Sequence, residues 1–252
     1  MADSRRGAPV LGAFIDALSW EETLDRLLVW GRARESGYVV ISNVHVVVSA
    51  WRDPAYRAVI NGADMATPDG APVAWMLRRL GFAGQPRISG PDLMRALCER
   101  CAQEALPVYF YGSTEATLTA LAQRLWADLP TLAAGMESPP FRVLTPEEDA
   151  AAVARINASG AGIVFVGLGC PKQERWMAEH RSRVNAVMIG VGAAFDFHAG
   201  KVKRAPQWMR DNGLEWLQRL ASEPRRLWRR YLITNTIFLY AAAKQLLGRK
   251  SI

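Results

Sequence analysis

Short apolar runs alternate with stretches in which apolar residues recur at helical spacing along most of the chain. Runs rich in β-branched and aromatic residues predict five strands, at Tyr38–Ser42, Met65–Pro68, Pro107–Tyr111, Ile163–Val166 and Ala186–Val191. Strands that alternate with helices form βαβ units, and their strands lie parallel in one sheet. The pattern therefore predicts an α/β fold, with a Rossmann-like, mostly parallel sheet flanked by helices.

From Ala205 onward the pattern changes to a helical segment rich in tryptophan and arginine. Residues 200–252 hold twelve Lys and Arg against three acidic residues, whereas the rest of the chain is slightly acidic. A cationic end on a nearly neutral body indicates an anionic partner: membrane lipid, nucleic acid or a phosphorylated substrate. We expect an α/β domain at residues 1–199 and a basic amphipathic helical appendage at residues 200–252.

The appendage contains one apolar stretch, Leu232–Ala243, which would be about 18 Å long as a helix, against a hydrocarbon core of about 30 Å. It is not expected to span a bilayer. Aromatic residues beside leucine and isoleucine runs favour a membrane surface over nucleic acid as the partner. The sequence leaves open whether the stretch packs on a membrane or on a second copy of the chain in a homo-oligomer.

Composition excludes several classes of protein. A chain of 252 residues, 50% hydrophobic and 22% charged, can bury a sizeable core, which excludes disorder, collagen and a disulfide-stapled mini-protein. Three cysteines indicate reduced thiols and a cytosolic protein. No signal peptide is expected, because Asp16 interrupts the apolar run near the start of the chain.

Four predicted strand ends carry polar or glycine-rich residues, at Asn43, Asp69, Gly167–Glu174 and Gly190–Asp196. Ligands of such sheets bind beyond the carboxyl ends of the strands, so we expect the chemistry there.

The turn at Gly167–Glu174 lies between a buried strand and a helix and includes Gly169, Lys172 and Gln173. Backbone N–H groups at a helix start favour an anion such as a diphosphate, and Lys172 adds a formal charge. The alternative is a tight turn without a ligand. The turn lacks the third glycine of the dinucleotide fingerprint, and the sequence contains no GxxxxGK[ST] motif, so neither NAD nor ATP is indicated.

Four polar residues each allow a structural and a functional interpretation. Asp69 either caps the following helix or acts as a general base that takes a proton from a hydroxyl. Asn43 either bonds its own backbone or orients a sugar or the base. Arg87 is either an exposed loop side chain or a contact to phosphates, and Asp196 is either a loop cap or a second polar site residue.

No metal or other cofactor is expected. Cys98 and Cys101 lie inside a predicted helix without a second cysteine pair, and His45, His180 and His198 share no ligand spacing.

In the appendage, Arg219, Arg226 and Arg229 are spaced to share one helical flank, although Pro224 interrupts the frame. They form either a surface that grips a lipid diphosphate or the solvated face of a packing helix.

Taken together, the sequence motifs of this chain resemble those of the TagA/WecG/CpsF family of bacterial glycosyltransferases, glycosyltransferase family 26. The resemblance runs in order from about residue 10 to about residue 240. The matching features are Asn43, PDG at Pro68–Gly70, RISGPDLM at Arg87–Met94, VGLGCPKQERWM at Val166–Met177, GVGAAFDFHAG at Gly190–Gly200 and RAPQWMRDNGLEWLQRLASEPRRLWRRY at Arg204–Tyr231. One departure is Ile41, where many relatives carry threonine.

The resemblance implies transfer of a sugar from a UDP-sugar, of the UDP-ManNAc, UDP-glucose or UDP-glucuronate type, to a saccharide on polyprenyl diphosphate such as undecaprenyl diphosphate. It implies inversion, no metal, and a peripheral location on the cytoplasmic membrane face in cell-surface or exopolysaccharide synthesis. A non-catalytic, membrane-attached module that binds lipid or a partner is the alternative.

Roles follow from the same resemblance. Asp69 would be the base, Asn43, Arg87, Gln173 and Asp196 would line the donor pocket, and Arg219, Arg226 and Arg229 would contact the acceptor diphosphate. Residues 1–199 would then be the catalytic domain, and the appendage would close over it, as in relatives.

Overall fold

The structure is a computed structural model that describes residues 5–248. Its strands are β1 at Gly7–Val10, β2 at Ala13–Asp16, β3 at Gly37–Ser42, β4 at Met65–Pro68, β5 at Val108–Gly112, β6 at Ala134–Glu137, β7 at Ile163–Gly167 and β8 at Val187–Gly190. Strands β1 and β2 form an antiparallel hairpin, and the other six form a parallel sheet in the order β4-β3-β8-β7-β5-β6. The predicted α/β fold with a parallel sheet is confirmed.

Helices connect and flank these strands. They are α1 at Trp20–Arg32, α2 at Val44–Arg52, α3 at Pro54–Asn61, α4 at Ala71–Arg79, α5 at Gly90–Gln103, α6 at Glu115–Asp128, α7 at Pro146–Ala158, α8 at Lys172–His180, α9 at Ala194–His198, α10 at Gln207–Asp211, α11 at Glu215–Ser222 and α12 at Pro224–Gly248. None of the helices within residues 5–248 is both long enough and apolar enough to cross a bilayer.

One compact unit combines residues 20–40 with residues 90–201 and is called the second unit below. It contains strands β5 to β8 and the first four residues of β3. Aromatic rings fill its core: the Phe110 ring lies 5.3 Å from that of Phe165 and 5.7 Å from that of Phe195. These rings come from two neighbouring strands and α9, so burial of the sheet face holds α9 in place.

A charged cluster in the second unit joins α7 and α8. The Asp149 carboxylate lies 2.7 Å from His180 Nε2 and accepts a hydrogen bond of 2.7 Å from Arg183. Burial would raise the pKa of the Asp149 carboxyl, but the hydrogen bonds from Arg183 and His180 outweigh it and lower that pKa. The cluster therefore stabilises the ionised carboxylate.

The other compact unit, called the first unit below, combines the chain up to Ser19 with residues 41–89 and the chain from Val202 onward. Its hairpin is anchored by Asp16, which pairs with Arg5 at 2.6 Å and accepts a hydrogen bond of 2.6 Å from the backbone of Ala66. The buried carboxylate that interrupts the first apolar run thus fixes the hairpin to the start of β4.

The end of α12 is attached to this hairpin. The Gln245 side chain accepts a hydrogen bond from the backbone N–H of Leu11 at 2.9 Å and donates one to the Pro9 carbonyl at 2.7 Å. The division into residues 1–199 and 200–252 stays a prediction, and residues 1–4 and 249–252 of those ranges lie outside the described part.

Candidate active site

In the first unit, three polar segments lie side by side where β3 and β4 end. The Asp69 backbone N–H donates to the Ser42 carbonyl at 3.0 Å, and the Ile88 N–H donates to the Pro68 carbonyl at 2.9 Å. These two bonds bring the segments that carry Asn43, Asp69 and Arg87 to one edge. We call this region the carboxylate edge.

Asp69 is half-buried between β4 and α4. Its Oδ1 accepts a hydrogen bond of 2.7 Å from the N–H of Gly70, and α4 has no side-chain cap. The N-cap residue of this helix is Gly70, and Asp69 lies one position before it. Gly70 has φ +80, a conformation that favours glycine, and it turns the chain directly after the carboxylate. The position suits a group that exchanges protons with a ligand.

Asn43 is the N-cap of α2. Its side-chain oxygen accepts a hydrogen bond of 3.1 Å from the Val46 N–H, so the backbone-capping role left open by the sequence is present. The residue is exposed, and the cap leaves its amide N–H groups as donors. Before it, Ile41 and Ser42 are both buried, at 6% and 0% exposure.

Arg87 is not the exposed loop side chain that one interpretation expected. It is 18% exposed and pairs with Glu215 at 2.9 Å. Glu215 also lies 3.5 Å from Arg204, which donates to the Ser89 hydroxyl at 3.3 Å. Gly213 packs so tightly that a Cβ there would lie 2.5 Å from that of Ala71. The segment before α12 is thus fixed onto the carboxylate edge.

Sequence reasoning missed Glu215 and Arg204. The signal was available, because Glu215 is one of three acidic residues among twelve cations in residues 200–252. An isolated carboxylate in such a segment indicates a specific ion pair.

The three predicted tail arginines do not share one helix. Arg219 lies in α11, whereas Arg226 and Arg229 lie in α12 beyond the break at Glu223 and Pro224. The shared flank expected from their spacing is therefore wrong. Glu223 nevertheless links two of them, since its carboxylate lies 3.4 Å from Arg219 and 2.5 Å from Arg226.

In the second unit, the predicted diphosphate turn follows β7 and leads into α8, which has no side-chain cap. Glycine occurs at two positions of this turn for different physical reasons. A Cβ on Gly167 would lie 2.7 Å from the ring of Phe195, so close packing requires glycine there. Gly169 has φ +80, and a Cβ there would meet no described atom within 4 Å. The space beside Gly169 is therefore open within the described structure.

Gln173 occupies part of the hydrogen-bonding capacity of this turn. The backbone N–H of Gly169 donates to the side-chain Oε1 of Gln173 at 3.2 Å, and the backbone N–H of Gln173 donates to the Gly169 carbonyl at 2.8 Å. These two backbone N–H groups of the turn therefore already have partners within the chain. Lys172 is exposed in the first turn of α8.

Asp196 lies within α9 and is half-buried. The N-cap of α9 is Ala193, and no side chain caps the helix, so Asp196 is not a cap at its start. It follows the turn at Gly190–Gly192, in which Gly192 has φ +52.

Cys98 and Cys101 are fully buried inside α5. Burial raises the pKa of Cys101 to about 12 and that of Cys98 further, so both thiols stay neutral. Burial and the charge of Arg230 lower the pKa of His45. Within residues 5–248, no three His, Cys, Asp or Glu side chains are grouped so that they could hold a metal ion.

The chain matches the model of a known protein family. The model of a family described as "Glycosyl transferase WecG/TagA/CpsF family" matches residues 8–252, nearly the whole chain. The resemblance seen in the sequence motifs is confirmed.

Proposed function

The chain belongs to the WecG/TagA/CpsF family of glycosyl transferases, and from this premise we propose that it transfers a sugar from a UDP-sugar to a saccharide on polyprenyl diphosphate. The observation that carries the proposal is the half-buried Asp69 carboxylate at the end of β4, which lies on the carboxylate edge directly before the turn at Gly70. The reaction belongs to cell-surface or exopolysaccharide synthesis at the inner membrane face.

The proposed chemistry is a single displacement. Asp69 accepts the proton of the acceptor hydroxyl, and the hydroxyl oxygen forms a bond to the anomeric carbon of the donor sugar. The bond between that carbon and the donor phosphate oxygen breaks, and UDP leaves with the electron pair. Attack from the face opposite UDP inverts the anomeric carbon.

The leaving diphosphate needs positive charge. We assign it to the turn of the second unit, where the uncapped start of α8 and the exposed Lys172 favour an anion. Asn43, Arg87, Gln173 and Asp196 keep the donor-binding roles that the family resemblance implies. Charge from these groups makes a divalent metal unnecessary in this proposal.

We assign the lipid acceptor to the appendage. Arg226 is 62% exposed, and Arg229 lies in the same exposed stretch beside Trp228. Large exposed apolar side chains follow along α12, at Leu232, Ile233, Leu239 and Tyr240. Arginine beside exposed apolar side chains suits a lipid headgroup layer that carries a diphosphate.

A screen of sugar nucleotides against a short-chain lipid-diphosphate saccharide, monitored by mass spectrometry with and without EDTA, tests the function. We expect one UDP-sugar to give a product larger by one sugar, with the same yield in EDTA. Absence of product from every donor would support a non-catalytic membrane-attached module, and loss of product in EDTA would contradict the metal-independent mechanism.

A further inference from the structure

We propose that Glu174 is a positioning residue that fixes the orientation of the Gln173 side-chain amide, a proposal that rests on the donor-binding role proposed for Gln173. Both residues lie in the first turn of α8, directly after the glycine turn. Glu174 is fully buried, at 0% exposure, and Gln173 is 5% exposed. A buried carboxylate is costly unless it makes specific hydrogen bonds.

The Gln173 amide is held at both of its polar atoms. Its Nε2 donates a hydrogen bond of 2.8 Å to Glu174 Oε1, and its Oε1 accepts the hydrogen bond of 3.2 Å from the Gly169 N–H. A carboxylate accepts and a backbone N–H donates, so each partner can bond only one end of the amide. Both partners select the same orientation out of the two that an amide can adopt.

Two glycines at the end of β8 leave room for this amide. A Cβ on Gly190 would lie 2.9 Å from Gln173 Nε2, and a Cβ on Gly192 would lie 3.5 Å from Oε1. The amide is therefore packed against backbone at the carboxyl end of the strand. Nε2 carries two hydrogens, and the bond to Glu174 uses one of them. The orientation set by Glu174 leaves the other N–H as a donor for an oxygen of the sugar nucleotide.

The test variant is Glu174→Gln, which keeps the shape of the side chain but gives it an amide that both donates and accepts. The Gln173 amide then loses one of the two partners that select its orientation, and only the Gly169 N–H still does so. We expect the KM for the sugar nucleotide to rise about tenfold, the loss of one hydrogen bond to a charged group, with a smaller change in kcat. Glu179→Gln, at an exposed position of the same helix, is the matched control and should behave as wild type.

A double-mutant cycle separates positioning from a merely structural role. If Glu174 acts through Gln173, Glu174→Gln should change the KM little in a Gln173→Ala background. The proposal would be overturned if Glu174→Gln raised the donor KM by the same factor with and without Gln173→Ala. It would also be overturned if Glu174→Gln lowered the thermal midpoint but left the donor KM unchanged. If Glu174→Gln does not fold, Glu174→Asp, which keeps the charge but shortens the side chain, should raise the donor KM in the same way.

The Gln173 side-chain ¹⁵N resonance distinguishes failure of this inference from failure of the proposed function. If the wild type turns over no sugar nucleotide, the proposed function fails. Glu174→Gln should still shift that resonance and speed hydrogen exchange at Nε2, whereas Glu179→Gln should not. An unchanged resonance in Glu174→Gln would overturn the positioning role whatever the activity.

Discussion

The carboxylate edge of the first unit and the glycine turn of the second unit carry polar groups of different kinds. At the carboxylate edge, the polar groups are side chains that are exposed or half-buried, and one of them, Arg87, is held by an ion pair with Glu215. At the turn, Gly169 and the buried Gln173 satisfy each other through two hydrogen bonds. The first region should therefore respond to substitution mainly through rate, and the second through binding and stability.

The largest expected effect is at the carboxylate edge. Asp69→Asn should lower kcat by about 10²–10⁴-fold, because the neutral amide cannot accept the acceptor proton. Donor affinity, measured by calorimetry, should stay close to that of the wild type. Asp25→Asn, an exposed position of α1, serves as the control. Unchanged turnover in Asp69→Asn would remove the base assignment and the contrast between the two regions.

The glycine turn should respond through folding. Gly167→Ala places a methyl group 2.7 Å from the Phe195 ring and should lower the free energy of unfolding by about 2 kcal/mol. The methyl group of Gly169→Ala would meet no described atom, so this variant should lower the free energy of unfolding by about 1 kcal/mol, because of the positive φ alone. Urea unfolding measures both. Equal costs for the two variants would mean that the ring moves aside and that packing does not require glycine at 167.

The ion pairs of the carboxylate edge should have a smaller effect. Glu215→Gln removes the partner shared by Arg87 and Arg204 and should lower the free energy of unfolding by about 1 kcal/mol, between typical exposed and buried pairs. Limited proteolysis should then cleave the segment after Val202 faster. Asp211→Asn, exposed in α10, provides the control. Wild-type proteolysis of Glu215→Gln would show that packing alone holds this segment.

An effect of similar size concerns pH and lies in the second unit, away from its turn. The native pKa of Asp149 is lowered, so its contribution to stability is present above the pKa of the unfolded chain, about 3.9, and is lost as the pH falls through the native pKa. Asp149→Asn should destabilise the protein by about 1 kcal/mol at pH 7. Urea unfolding from pH 7 to pH 3 should show that the difference in the free energy of unfolding between wild type and Asp149→Asn becomes smaller below about pH 4. A difference in the free energy of unfolding that does not change with pH would contradict the lowered pKa of Asp149.

The sequence predicted those parts of the fold whose cause is local. Each of the five predicted strands is present, because an apolar run of four or more residues indicates a buried strand. The hairpin of β1 and β2 and strand β6 were missed, and β6 is half-buried throughout, so no apolar run marks it. Short strands of mixed composition are fixed by their neighbours rather than by their own pattern.

The candidate site shows the same limit. The carboxylate at Asp69 and the turn at Gly167 were predictable because both follow apolar runs directly. The pairing of Arg87 with Glu215 spans 128 positions of the chain, and no local pattern encodes it. The room for the Gln173 amide of α8 depends on Gly190, which belongs to β8. Tertiary structure determines these two features.

The bonds from Gln245 to Pro9 and Leu11 affect how truncated proteins should be interpreted. A protein that ends before α12 would lose Gln245, the hydrogen-bond partner of the hairpin of β1 and β2, together with Arg226 and Arg229. Inactivity of such a fragment would then report damage to the first unit as much as detachment from lipid. Charge-reversing point substitutions at Arg226 and Arg229 leave the Gln245 bonds intact, so they are the cleaner way to ask what the appendage binds.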